Sequence, residues 1–225
     1  MNVKALIAEF VGTFALIFVG VGAITGDFIN GGQTGLTGIA LAHGLTIAVM
    51  VAAVGSISGG HFNPAVTVGL FCTKNIDATN ALGYVIAQCA GAILAAFLVK
   101  ICLPADALMA VGMGTPALGA GISAGMGFVT EVILTFFLVF VIYGTAVNKK
   151  GMQPAGLFIG LTVTLDIFFG GPITGAAMNP ARYIGPALLG GGLNNCWLYW
   201  AGPIIGGILG AMTYKHLLLR EATAS

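Results

Sequence analysis

Long apolar runs broken by short polar stretches divide this chain. Six of them, at about 5–25, 36–57, 80–102, 125–147, 154–171 and 196–218, reach or approach the roughly 20 apolar residues that a helix needs to cross a bilayer. Between them lie two shorter apolar pieces, 64–73 and 180–190, each opened by Asn-Pro. At about 1.5 Å rise per residue these measure roughly 15 Å, half of a hydrocarbon core. The pattern predicts an all-α membrane protein with six transmembrane helices and two half-length ones. Residues 1–225 then form a single transmembrane channel-sized domain, with one repeat over about 1–102 and another over about 125–219.

Composition agrees with the pattern. Of 225 residues, 58% are hydrophobic and only 7% charged, where a soluble domain carries about a quarter charged residues. Too little polar surface is available to face water, so the solvent of this chain is lipid. A formal net charge of +1 gives no reason to expect nucleic acid or an acidic substrate. The run Ala5–Ile24 is long enough to span and carries Glu9, so it reads as a retained helix rather than a secretory signal. The four cysteines show no paired metal spacing and read as buried, inert thiols. The many glycines and alanines at helical spacing let membrane helices approach closely.

Basic residues set the orientation. With a cytoplasmic N-terminus, Lys4, Lys74, Lys149, Lys150, Lys215 and Arg220 face the cytoplasm, and the opposite side receives only Lys100. Both termini are therefore expected inside.

The two halves resemble each other. "AEFVGTFALIFV" (8–19) matches "TEVILTFFLVFV" (130–141), aligning Glu9 with Glu131. "FNPAVTVG" (62–69) matches "MNPARYIG" (178–185), and "YVIAQCAGAILAAFLVK" (84–100) matches "YWAGPIIGGILGAMTYK" (199–215), aligning Tyr84 with Tyr199 and Lys100 with Lys215. Three spans per half is an odd number, so the second half enters the membrane from the opposite side. Inverted repeats of this kind place a functional site at the midplane, where discontinuous helices meet. Asn is a favoured N-cap and Pro suits the first helical position, so each Asn-Pro starts a helix in mid-membrane. The non-helical backbone leading to it needs protein or a water-filled cavity around it. Two surface Asn-Pro turns are the plain alternative; they leave the matching repeat positions unexplained.

On "SGGHFNPAVT" (58–67), "TGAAMNPARYIGPA" (174–187), the paired glutamates and the six-span repeat, the chain resembles the aquaporin family over nearly its whole length. The resemblance implies a bundle of six helices with two re-entrant half-helices, one pore per subunit, no cofactor or metal, and a homotetramer. It implies that Asn63, Pro64, Ala65, Asn179, Pro180 and Ala181 line the pore at its centre. Aligned peptide dipoles put about half a positive charge at each half-helix N-terminus. Such dipoles, with an Arg, are the recognised aquaporin means of excluding protons and cations. The side-chain amides of Asn63 and Asn179 are expected both to cap their helices and to donate to passing water. Arg182 is placed at the narrowest, outer part of the pore. By their distances along the chain from an Asn, His43, Ile167 and Ala176 join it. For His43, packing as a core histidine is the other reading.

The set His43, Ile167, Ala176 and Arg182 looks like the filter of plant tonoplast intrinsic proteins, and it departs from the Phe and His usual in strict water channels. Ammonia, hydrogen peroxide and other small neutral solutes therefore join water as candidate substrates. Dedicated glycerol facilitators usually carry Asp after the Arg, a basic residue four further on, and Pro-Leu in the last span; here Tyr183, Ala187 and Tyr199-Trp200 stand at those places. Tyr183 also departs from the water class, and no role is assigned to it or to the outer segment 103–124, including "GMGTPALGAG" (112–121).

Glu9 and Glu131 are expected to brace the re-entrant loops by accepting backbone N–H groups, with Asp166 as a third brace; a proton relay is the competing role for such acids. The expected function is a passive channel for water that excludes protons and ions. An ion-coupled secondary transporter on an inverted repeat is the alternative, and a closed-pore junction protein a third. No nucleophile–base pair, metal cluster or cofactor motif suggests an enzyme. The short segment ahead of the first span suits a prokaryotic inner membrane, while the filter suits a vacuolar one; the former is favoured.

Overall fold

The computed structural model describes residues 2–219, which form helices and no strand. The spans are α1 (Val3–Ile29), α2 (Gly35–Ser58), α4 (Ala78–Cys102), α6 (Ala124–Ile142), α7 (Ala155–Thr174) and α9 (Cys196–Thr213); the half-helices are α3 (Pro64–Cys72) and α8 (Pro180–Pro186), and a short α5 (Ala105–Ala110) lies in the outer connection. π-Helical turns extend α6 and α9, to Val147 and Leu218. α1 extends furthest beyond its apolar stretch, and Asn2 fixes its start by accepting from the Lys4 N–H at 3.1 Å. Likewise Asp77 accepts from Asn80 N–H at 3.0 Å to open α4, and Ser123 from Met126 N–H at 3.2 Å to open α6. The second half-helix stops at Pro186 and continues as a π-turn, Ala187–Gly191, rather than running as one helix to 190.

Packing repeats in the two halves. α1 packs on α4 as α6 packs on α9, and α2 crosses α7 between the halves. At that crossing a Cβ on Gly44 or on Gly160 would run into the other's carbonyl, so only glycine lets these backbones touch. Each half-helix lies chiefly against the last span of the other half, α3 on α9 and α8 on α4. The lysines aligned by the repeat complete this exchange. Lys215 Nζ donates to the Thr73 carbonyl at the C-terminal end of α3, at 2.5 Å, and Lys100 Nζ to the Leu189 carbonyl beyond α8, at 3.0 Å. A cation at a helix C-terminus also meets the negative end of its dipole. Lys74 and Lys215 thus share one end of the bundle and Lys100 marks the other; Arg220 lies outside the described residues.

The outer faces of the spans are apolar, with Val49, Leu82, Ile86 and Leu165 all more than 60% exposed. Glu9, Glu131, Asp166 and Arg182 are instead buried. The cysteines differ from expectation: Cys102, the last residue of α4, is exposed, and Cys72, Cys89 and Cys196 are half-buried, with Cys89 and Cys196 packed at the edge of the core.

Candidate functional site

Asn63 and Asn179 each cap a half-helix in the middle of the bundle. Asn63 Oδ1 accepts from Ala65 N–H at 2.8 Å, and Asn179 Oδ1 from Ala181 and Arg182 N–H at 3.0 and 3.2 Å. Pro64 and Pro180 follow at the first helical position. The amide nitrogens reach across: Asn63 Nδ2 donates to the Met178 carbonyl at 2.8 Å and Asn179 Nδ2 to the Phe62 carbonyl at 2.9 Å. Two positive helix ends are thus tied face to face. Each amide carries two hydrogens; one is used in this tie, which leaves one for the cavity that both asparagines line.

The loops entering these helices need unusual backbone. Gly59, Gly60 and Phe62 take φ of 91°, 65° and 49°, and Gly175, Ala176 and Met178 take 79°, 45° and 50°. A non-glycine residue in this region costs on the order of 1–3 kcal/mol and persists only where its surroundings fix it. Here a carboxylate does so on each side. Glu9 accepts from Ser58 Oγ (2.6 Å), His61 N–H (2.9 Å), Phe62 N–H (2.6 Å) and Gln88 Nε2 (2.8 Å). Glu131 accepts from Thr174 Oγ1 (2.6 Å), Ala177 N–H (2.9 Å) and Met178 N–H (2.7 Å). Tyr84 and Tyr199 donate to the carbonyls of Ser58 and Thr174 at 2.8 and 2.9 Å, holding the helix ends from which the loops leave. Asp166 differs: its buried Oδ2 has no hydrogen-bond partner among the described residues.

A cavity runs past both asparagines and is lined also by His43, His61, Ile167, Ala176 and Arg182 against an aliphatic wall. Its volume is about 40 Å³, room enough for water. A second, outer cavity shares His43, Ile167 and Arg182 with it, so these three side chains stand between the two. Arg182 is 4% exposed, and its Nη1 donates to the Gly114 carbonyl at 2.7 Å. That carbonyl lies in the 103–124 segment, which carries no recognisable motif. His43 Nδ1 meets the Ile39 carbonyl at 2.8 Å, which makes it the protonated nitrogen, and the buried Nε2 has no partner among the described residues. A Cβ on Gly20 would collide with this imidazole, so the glycine makes its room.

Three contributors had no role assigned to them from the sequence. His61 lines the cavity with Nδ1 3.0 Å from Thr67 Oγ1, which itself donates to the Asn63 carbonyl; its place in the motif beside Asn63 was the available signal. Gln88 donates both to Glu9 and, at 3.0 Å, to Thr67 Oγ1. Tyr183, without a role in the sequence, is fully buried, stacks on Tyr199 with centroids 4.6 Å apart, and donates to the Asn194 carbonyl at 2.8 Å. It anchors the connection that follows α8.

The profile of the major intrinsic protein family matches residues 1–214. The maize protein "Aquaporin TIP4-4" is 44% identical over 97% of this chain and 88% of its own. "Aquaporin NIP3-1" of Arabidopsis thaliana is 43% identical over 99% of this chain and 69% of its own. Among solved structures, the aquaglyceroporin from Plasmodium falciparum superposes with a TM-score of 0.85 at 26% identity, over 97% of this chain and 98% of that one. These relatives lend no support to the prokaryotic membrane expected from the short amino-terminal segment. Six spans, two half-helices joined at their positive ends, and a family match over nearly all its residues make this chain a member of the major intrinsic protein, or aquaporin, family.

Proposed function

We infer that the protein is a passive transmembrane channel for water. The observation that carries the reading is the cavity lined by both Asn63 and Asn179, positioned where two helix dipoles point their positive ends. A water accepting from the asparagine amides there turns its own hydrogens outward, which interrupts a proton wire, and the dipoles disfavour cations. His43, Ile167, Ala176 and Arg182 act as the outer filter: one fixed cation, one imidazole acceptor and two apolar side chains. Glu9 and Glu131 act as loop braces. Their oxygens are taken up by loop N–H and hydroxyl donors, and neither lines the cavity, which speaks against a proton-coupled transporter.

Ammonia and hydrogen peroxide are proposed as further substrates, since His43 and Ile167 replace the ring pair of strict water channels. The likeness to tonoplast intrinsic proteins favours a vacuole-type membrane; we assign a homotetramer on the family likeness and cytoplasmic termini on the asymmetry of basic residues. Stopped-flow light scattering on proteoliposomes tests the channel. Osmotic permeability well above that of protein-free vesicles, with no dependence on a proton gradient, is expected; permeability equal to theirs overturns the reading.

A further inference from the structure

The guanidinium at the outer constriction is held by a carbonyl, and what holds that carbonyl lies outside the lumen. Gly114 ends a tight turn in which Gly112, Met113 and Gly114 all take positive φ, of 55°, 57° and 65°. On one side the turn rests against α1, with Val21 and Ile24 in contact range of Gly114. On the other it meets the π-turn Ala187–Gly191 that continues the very half-helix carrying Arg182. The tightest point of that meeting is Gly191. A Cβ there would overlap Thr115 Oγ1 and stand 2.6 Å from Thr115 Cβ and 2.8 Å from the Gly112 carbonyl oxygen.

The π-turn has little freedom to retreat. Lys100 Nζ holds the Leu189 carbonyl, and the Ala187 carbonyl accepts from Gly192 N–H at 3.0 Å. Extra volume at position 191 therefore pushes on the 112–115 turn, and Gly114 moves with Thr115. Gly191 itself has a backbone φ open to alanine, unlike Gly190 and Gly192 at 146° and 84°. Its glycine identity thus answers to this contact.

We propose that Gly191 and Thr115 are positioning residues for the outer constriction: their contact sets the Gly114 carbonyl, which in turn holds the Arg182 guanidinium against the wall of the lumen. The proposal rests on the assignment of Arg182 as a filter residue. Released from Gly114, the guanidinium loses the backbone carbonyl that anchors it and can swing into the lumen it lines. That movement narrows the path.

The test measures water permeability per inserted channel, and exclusion of methylammonium, in proteoliposomes. Gly191→Ala is expected to lower water permeability at least threefold, and Thr115→Gly in the same chain to recover most of the loss. In an Arg182→Val background the same Gly191→Ala change is expected to have no further effect, because the group it displaces is gone. Leu193→Ala, an exposed neighbour on the same connection, is expected to match the parent. Should Gly191→Ala fail to insert, Thr115→Leu presses on the same contact from the other side, with the same loss expected and the same dependence on Arg182. Unchanged permeability in either variant, or an equal loss with and without Arg182, overturns the proposal. If Arg182→Val alone leaves methylammonium exclusion intact, it is the filter assignment that fails, whatever Gly191→Ala does.

Discussion

The two re-entrant loops share one scaffold and differ in what they show to the lumen. In each, a glutamate from the first span of its half accepts two successive backbone N–H groups and a hydroxyl, and a tyrosine from the last span holds the carbonyl from which the loop departs. Each half-helix is met at its far end by a lysine of the other half. The lumen-facing positions then diverge. His61 in the first loop stands where Ala177 stands in the second, Arg182 where the first has Val66, and His43 of α2 where α7 has Ile159. At each of these three pairs one half offers a polar group and the other an apolar one, while Asn63 and Asn179 keep an amide on both sides. The glutamate braces are kept in both halves and build backbone.

The strongest break in this comparison comes from removing a brace. Glu131→Ala leaves Ala177 and Met178 N–H buried without an acceptor, and each such donor costs about 1–3 kcal/mol. The expected result is a protein that no longer yields a stable monodisperse peak in detergent. Glu9→Ala is expected to be at least as damaging, since Gln88 also loses one of its two acceptors. Comparable peaks for both variants and the parent would show that the braces are dispensable.

An intermediate effect sharpens the divergence of the lumen surfaces. None of the four cysteines lines the cavity, so a mercurial is expected to leave water permeability unchanged. Ala177→Cys puts a thiol on the cavity wall and is expected to make permeability fall severalfold on adding the reagent, with recovery on reduction. Inhibition of the parent protein would place a cysteine nearer the path than the structure does.

The smallest effect tests the shared scaffold. Tyr84→Phe and Tyr199→Phe each delete one hydrogen bond to a carbonyl, about 1 kcal/mol. Similar small drops in thermal midpoint are expected, with Tyr199→Phe retaining its stack on Tyr183. A large asymmetry would mean that the two halves do not bear load alike.

Much of this was legible in the sequence because membrane physics writes it in large letters. Span length, basic asymmetry and the duplicated Asn-Pro each follow from constraints acting on many residues. The reciprocal bonds of Asn63 and Asn179 were only half legible: capping is a local habit of Asn, but the tie to the opposite loop is made to carbonyls, which every residue carries. The anchor of Arg182 was invisible for the same reason, since nothing distinguishes Gly114 O from its neighbours until the chain is folded. Tyr183 could not be assigned because its partners, the Tyr199 ring on α9 and the Asn194 carbonyl, meet it only once the chain is folded. Cys72 and Cys102 misled because they close their helices, where packing is incomplete.

The exchange of lysines and half-helices between repeats has a consequence for biogenesis. Neither half can finish itself: the stub of each is roofed and fastened by material the ribosome makes with the other. A translocon handling this chain must therefore keep the first stub sheltered until the last span arrives, and the pore comes into being only at that closing moment.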